Sequence, residues 1–363
     1  MMKKYIVLAN NSDGLYGFRR ELLSVLARKG KLLASIPDNG CFEELRQRGC
    51  NIVETPVDRR GIDPVTDGKL LLRYCGLLRR EKPDLVITYT IKPNIYGGMV
   101  CRLLGIPYAV NITGLGTAFQ KQGALRKLVT ALYKLALKKA KVVFFENAEN
   151  MQTLLDEKIA RQGQCCLLNG AGVNTEHYAY TAYPADEETR FLFVGRVMRE
   201  KGVDELFEAM HRLNENGLRC TLDVLGGYEE NYADKIDACT AEGWLRYHGY
   251  QQDVRPFIEN AHCFVLPSWH EGMANTNLEC AAMGRPVITS DIHGCKEAVE
   301  EGVNGLLCEA KNADSLYDAM AQFIAMPRNV REAMGKAGRE RMEAIFDKKK
   351  VVAATLKALG LDD

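Results

Sequence analysis

Along this chain, short runs of apolar and β-branched residues alternate with longer segments in which apolar positions recur every three or four residues. The short runs predict strands over residues 5–9, 31–36, 51–57, 84–88, 108–112 and 141–145, and again over 191–194, 222–225, 246–248, 263–266 and 286–289. The periodic segments between them, such as 18–28, 70–80 and 125–140, predict amphipathic helices. Strands alternating with helices predict an α/β fold whose parallel sheets are covered on both faces. A glycine-rich stretch, Asn169-Gly170-Ala171-Gly172-Val173-Asn174, followed by Tyr-, Ala- and Pro-containing sequence to Pro184, divides the chain into two lobes. The expected organisation is an N-terminal lobe over 1–170, a linker over 171–184, a C-terminal lobe over 185–340, and a helix over 341–363 returning to the N-terminal lobe. Two Rossmann-like, doubly wound lobes facing across a cleft would bind ligand at the carboxyl ends of their strands.

Length agrees with this division, since 363 residues suit two domains of roughly 150 to 190 residues each. A composition of 47% hydrophobic and 26% charged residues is that of a soluble globular protein. No apolar run reaches the ~18 residues of a membrane span. The opening Met1-Met2-Lys3-Lys4 leads through Tyr5-Ile6-Val7-Leu8-Ala9 directly into Asn10-Asn11-Ser12-Asp13-Gly14. It reads as a first strand and turn rather than a signal peptide, so a cytoplasmic location is expected. The twelve cysteines are scattered and form no C-x-x-C pattern, which predicts buried reduced thiols. None of the six histidines has metal-ligand spacing. Gly14 and Gly17 form only a G-x-x-G, which reads as a turn before the first helix and argues against a nicotinamide dehydrogenase.

Charge changes the picture of the first half. Residues 1–180 hold 27 Lys/Arg against 16 Asp/Glu, and the remainder hold 21 against 31. Between Asp84 and Glu146 there is no carboxylate, while Lys92, Arg102, Lys121, Arg126, Lys127, Lys134, Lys138, Lys139 and Lys141 lie inside. Such an excess points to an anionic partner, a lipid surface or a diphosphate, and no nucleic-acid-binding signature accompanies it. Within this stretch Leu125, Leu128, Val129, Leu132, Leu135 and Ala136 repeat at helical spacing, with Arg126, Lys127, Lys134 and Lys138 on or near the other side. This predicts a core-packed helix with a solvated basic face, or alternatively a basic face resting on anionic lipid.

The richest chemistry follows two strands of the second half. After residues 263–266 comes Ser268-Trp269-His270-Glu271-Gly272-Met273-Ala274-Asn275-Thr276-Asn277-Leu278-Glu279, with a helix expected from about Thr276 to Gly284. Unpaired N–H groups at such a helix start suit phosphate. Thr276-x-x-Glu279 also has the form of a capping box, so Glu279 is either a helix-capping group or a ligand contact. After residues 191–194 comes Gly195-Arg196-Val197-Met198-Arg199-Glu200-Lys201-Gly202, where Arg196 and Lys201 are either solvated loop cations or a clamp for a diphosphate.

Taken together, Gly195-Arg196-x(4)-Lys201-Gly202 and Glu271-x(7)-Glu279 resemble glycosyltransferase family 4, whose fold is the two-lobed GT-B type. Gly170-Ala171-Gly172-Val173-Asn174, Gly284-Arg285-Pro286-Val287-Ile288 with Asp291 and Gly294, and an N-G-L/F-L/V turn at Asn304-Gly305-Leu306-Leu307 add to the resemblance. The resemblance implies that Gly195, Arg196 and Lys201 hold the donor's diphosphate and that Glu279 accepts from ribose hydroxyls. It implies too that Glu271 faces the transferred sugar, beside amides of Met273, Ala274, Asn275 and Thr276. Arg196 and Lys201 would stabilise the charge on the leaving nucleotide, and Glu271, facing the sugar, would be the third catalytic residue. No D-x-D occurs in the chain, and no metal or other cofactor is expected beyond the UDP-sugar co-substrate.

The runs Thr88-Tyr89-Thr90-Ile91-Lys92-Pro93-Asn94-Ile95-Tyr96-Gly97 and Asn111-Ile112-Thr113-Gly114-Leu115-Gly116-Thr117-Ala118-Phe119 resemble a narrower bacterial group. Its members build surface polysaccharides or glycans on polyprenyl diphosphate, and include α-1,3-N-acetylgalactosaminyltransferases. This implies a retaining transfer of a hexose, N-acetylgalactosamine first, from UDP to a polyprenyl-diphosphate-linked saccharide at the inner face of a bacterial membrane. Acceptor contacts would fall to Gly14, Arg19, Lys92 and Thr113. Thr113 stands where many members carry a histidine or an acid, and Met273-Ala274 replace the commoner aromatic-Gly or aromatic-Pro pair. The rival expectations are a UDP-sugar 2-epimerase on the same fold and a non-catalytic two-lobed sugar-binding protein.

Overall fold

A computed structural model describes residues 2–58, 63–116, 119, 123–185 and 188–362. Thr117 and Ala118 of the run above and Lys121 of the basic stretch lie outside the described residues. The chain forms two compact units, one of Met1–Ala171 with Val351–Asp363 and one of Gly172–Lys350.

The first unit holds strands β1 (Lys3–Leu8), β2 (Gly30–Ile36), β3 (Cys50–Glu54), β4 (Leu85–Tyr89), β5 (Tyr108–Ile112), β6 (Val142–Phe145) and β7 (Cys165–Leu167). They make one sheet in the order β3-β2-β1-β4-β5-β6-β7, with every pair parallel. Helices α1 (Ser12–Lys29), α2 (Phe42–Gln47), α3 (Pro64–Glu81), α4 (Gly98–Leu104), α5 (Ala124–Leu137) and α6 (Ala148–Asp156) connect them. β4 and β5 are buried along their whole length, as continuous apolar runs covered on both faces require. Helix starts are set by side chains: Asn11 accepts from the Gly14 amide, and Asp63 caps α3 with Pro64 in its first turn.

The second unit holds β8 (Thr189–Val194), β9 (Cys220–Leu225), β10 (Leu245–Gly249), β11 (Cys263–Leu266), β12 (Val287–Ser290) and β13 (Gly305–Cys308). Their order is β10-β9-β8-β11-β12-β13, again all parallel. The helices are α7 (Val203–Glu215), α8 (Ala233–Ala241), α9 (Arg255–Asn260), α10 (Asn275–Ala282), α11 (Ala313–Ala325) and α12 (Arg328–Arg341). α13 (Lys348–Leu359) ends the chain, and Val351, Leu356, Leu359 and Leu361 join the first unit's core while Lys141 Nζ donates to the Leu359 carbonyl at 2.7 Å. All twelve cysteines are free thiols.

Four expectations are corrected. The turn expected at Gly14 and Gly17 is the first half of α1, because the Asn11 cap starts the helix at Ser12. β7 and β13 were absent from the expected strands, and Gly305-Leu306-Leu307, expected as a turn, lie in β13 and pair with β12. α10 starts at Asn275 with Ala274 as its cap residue, so Thr276 is inside the helix and Thr276-x-x-Glu279 is not a capping box. In α5 the buried positions are Val129, Tyr133, Ala136 and Leu137, so Leu125, Leu128 and Leu135 do not face the core.

Candidate functional site

The buried run Phe191-Leu192-Phe193 carries β8 to the carboxyl end of its sheet, where the Gly195 amide donates to the Leu225 carbonyl at the end of β9 (2.9 Å). The next side chain, Arg196, is 53% exposed, and its Nη1 lies 3.3 Å from Glu229 Oε2. A short 3₁₀ turn, Arg199–Lys201, then closes at Gly202. Gly202 has φ +72°, and a Cβ there would lie 2.1 Å from the Pro267 carbonyl oxygen. Only glycine lets this turn rest on the end of β11. The contact brings Lys201 to the loop after β11, and its ammonium forms an ion pair with the Glu271 carboxylate.

Glu271 is held from other directions as well. Ser268 Oγ donates to Glu271 Oε1 at 2.9 Å. Gly294, with φ +90°, passes so close that a Cβ would sit 2.5 Å from the Glu271 carbonyl oxygen. Gly294 in turn accepts from the Ala274 amide at 2.7 Å. Trp269 anchors the same loop: its amide donates to the Glu200 carbonyl (3.0 Å) and its Nε1 to Glu205 Oε1 (3.1 Å). Arg199 and Lys311 both place their charges over its ring, 5.2 and 4.8 Å from the centroid. Each such contact is favourable because a cation meets the negative face of the indole.

Beyond this loop Met273 and Ala274 are buried and α10 begins. No side chain caps its first turn, so the positive end of the helix is available to an anion or a hydroxyl. Asn275 Oδ1 is buried with no hydrogen-bond partner, an acceptor that a ligand hydroxyl could satisfy. Glu279 is the fifth residue of the helix and half-buried, two residues past the position a capping box uses. Lys201 and Glu271 are therefore brought together, while Arg196 lies against Glu229. Ser268, Glu229 and Trp269 were not among the expected site residues. Each acts across a loop, and nothing in local spacing announces such a contact.

In the first unit the expected acceptor residues have other occupations. Gly14 gives its amide to Asn11 Oδ1 at 3.2 Å. Arg19 is 8% exposed, paired with Glu146, and lies 5.1 Å over the Tyr89 ring. Burial lowers the guanidinium's affinity for its proton, but Glu146 and Tyr89 more than offset this and hold it above its ordinary range. Lys92 Nζ sits 2.8 Å from Asp67 Oδ1 and 3.9 Å from Asp58 Oδ2. Thr113 is half-buried just past β5. Around them Thr88 Oγ1 donates to Asn94 Oδ1 (2.7 Å), Asn94 Nδ2 to the Asn111 carbonyl (2.8 Å), and Asn111 Nδ2 to the Thr88 carbonyl (3.1 Å). This closed buried network gives three residues of the two quoted runs a structural task.

Residues 182–341 match the family described as glycosyl transferases group 1, and residues 21–170 match the glycosyl transferase 4-like domain. A Campylobacter jejuni protein named N,N′-diacetylbacillosaminyl-diphospho-undecaprenol α-1,3-N-acetylgalactosaminyltransferase is 24% identical over 335 residues, covering 87% of this chain and 88% of the relative. An Escherichia coli protein named UDP-Gal:α-D-GlcNAc-diphosphoundecaprenol α-1,3-galactosyltransferase is 27% identical over 285 residues, 72% of each chain. Among solved structures, Anabaena HepE in complex with UDP and glucose superposes with a TM-score of 0.82 at 15% identity, over 99% of this chain and 100% of that one.

Proposed function

We propose that this chain, which matches a glycosyl transferase 4-like domain in its first half and the glycosyl transferases group 1 in its second, moves a hexose from a UDP-sugar to a polyprenyl-diphosphate-linked saccharide. The observation that carries the site assignment is the Lys201–Glu271 pair, at the ends of two neighbouring parallel strands and just before a helix start that no side chain caps. Parallel α/β sheets bind ligands at such strand ends.

In this reading Lys201 and Arg196 hold the donor's diphosphate, with the first-turn amides of α10 adding fixed donors. Glu279 accepts from ribose hydroxyls, and Glu271 orients the sugar. The bond between the sugar's C1 and the β-phosphate oxygen breaks, and the acceptor hydroxyl oxygen bonds to C1 on the same face. The hydroxyl's proton leaves with the departing UDP. What these residues contribute is stabilisation of the charge that grows on the diphosphate, and no divalent ion is assigned a part. The α-linkage in both relatives' names supports retention, because UDP-hexoses of this class are themselves α-configured.

Those names also support a lipid-linked acceptor, and they support N-acetylgalactosamine, then galactose, as the sugar. The lipid-linked acceptors in those names support a site of action at the inner membrane surface. No helix among the described residues is long and apolar enough to cross a membrane. The epimerase reading is not favoured, because the matched families and relatives are transferases. The test is a panel of UDP-sugars assayed for UDP release with and without a bacterial membrane-lipid extract. UDP should be released from one sugar nucleotide when lipid is present. Consumption of UDP-sugar without acceptor and without UDP release would turn the assignment to the epimerase.

A further inference from the structure

Helix α5 packs Val129, Tyr133, Ala136 and Leu137 inward and leaves an apolar stripe outside. Leu125, Leu128 and Leu135 are 47%, 46% and 42% exposed, and the half-buried Leu132 falls between them, at i, i+3, i+7 and i+10. That spacing places all four on one line of the helix surface. Single exposed leucines are ordinary, but a row of them is a binding surface.

Beside the stripe runs a row of cations. Lys127, Lys134 and Lys138 are exposed at i, i+7 and i+11, and the helix contains no carboxylate. Arg126, Lys127, Thr130, Ala131 and Lys134 line an open pocket of about 250 Å³ together with Glu157. Glu157 is already engaged: Arg126 Nε donates to its Oε1 at 3.0 Å and Thr130 Oγ1 to its Oε2 at 2.9 Å. Neither Lys127 nor Lys134 forms a salt bridge among the described residues, so the pocket keeps a positive surplus. At the C-terminal end of the stripe Arg102 donates to the Leu135 carbonyl at 2.9 Å, adding another cation.

We propose that α5 is the surface by which this protein rests on an anionic lipid bilayer, with the leucine stripe entering the acyl boundary and the basic pocket taking a lipid phosphate. An apolar stripe flanked by lysines on one exposed helix is the arrangement that lies in the plane of a membrane interface. A second copy of the chain fits the surface poorly, because two such helices face to face would set lysine rows against each other, and the Glu157 carboxylate beside them is already engaged by Arg126 and Thr130. The proposal deepens the reading of a lipid-linked acceptor and relies on it only for the purpose of the contact.

The test uses the full-length protein sedimented with vesicles of phosphatidylcholine alone or with added phosphatidylglycerol, containing neither donor nor acceptor. The wild type should bind the phosphatidylglycerol vesicles and lose them as salt is raised. The variants Leu125→Ser/Leu128→Ser/Leu135→Ser and Lys127→Glu/Lys134→Glu should each lower the partition coefficient about ten-fold or more. All five side chains are exposed, so both variants should melt with the wild type, and both should keep UDP release with a water-soluble acceptor analogue. Binding left intact by the leucine substitutions, or a wild type that ignores anionic vesicles, would overturn the proposal while leaving the transfer reaction untouched. Loss of UDP release with intact vesicle binding would do the reverse.

Discussion

Lys201 and Glu271, 70 positions apart in the chain, form an ion pair whose two side chains are both largely shielded from water. The pair depends on Gly202 and Gly294, which let the backbone approach on either side. A diphosphate arriving at this point would compete with Glu271 for the ammonium. In the proposed reaction the lysine would be held in place before the donor binds, so that little reorganisation is required when charge develops.

Glu271→Gln keeps the shape and removes the charge. Transfer should fall on the order of 10²-fold or more, the scale of losing one well-placed electrostatic group. UDP affinity should not fall, because the carboxylate is assigned to the sugar and its loss frees the Lys201 ammonium for the diphosphate. Steady-state kinetics beside UDP titration calorimetry separate the two, and near-normal turnover in a folded variant would remove Glu271 from the site.

Glu279→Gln should weaken UDP binding and narrow the preference for UDP over 2′-deoxy-UDP. Because α10 begins at Asn275 and Glu279 lies in its second turn, the melting temperature should stay near that of the wild type. A variant that loses stability but binds both nucleotides normally would return Glu279 to a structural task.

Chelation by EDTA should leave turnover intact, since Arg196, Lys201 and the α10 amides are assigned the charge stabilisation that a metal ion otherwise supplies. Lys201→Ala should lower turnover strongly, and added Mg²⁺ should not restore it. An enzyme stopped by EDTA and revived by Mn²⁺ would keep its fold assignment and lose this mechanism.

Arg19→Ala should destabilise the first unit by roughly 3 kcal/mol or more, the cost of leaving a buried partner charge uncompensated. Glu146 would remain behind, with the Tyr89 ring beside it. Urea denaturation measures this directly. A stable variant whose only defect is a raised KM for the acceptor would restore Arg19 to the acceptor site.

The parts of the fold legible in the chain were those written in continuous local pattern. Strands such as β5 and β11 are uninterrupted apolar runs, and their observed bounds coincide with those expected. β7 is three residues long with two of them half-buried, and β13 begins at the glycine of Asn304-Gly305, so neither presents a run that stands out. Gly14 and Gly17 suggested a turn, yet neither adopts positive φ, and an asparagine cap three residues upstream of Gly14 was enough to start a helix through them. In α5 the periodicity was correct, and Val129 and Ala136 face inward as expected, but Leu125, Leu128 and Leu135 do not, because one helix carries two apolar stripes and only packing decides which is buried. The site followed the same rule. Arg196, Lys201, Glu271 and Glu279 stand out by spacing, whereas Ser268, Glu229 and Gly294 matter through contacts made in three dimensions.

Everything proposed here turns on transfer of a sugar from UDP to a polyprenyl-diphosphate-linked saccharide at the Lys201–Glu271 site. It is tested by incubating the purified protein with UDP-sugar labelled in the sugar and with a lipid-linked saccharide acceptor, then counting label in the organic extract. Label should enter the lipid fraction in step with UDP release, and Glu271→Gln and Lys201→Ala should abolish both. Label that stays in the aqueous phase with every donor tested, or that reaches lipid equally well in both variants, would contradict the account.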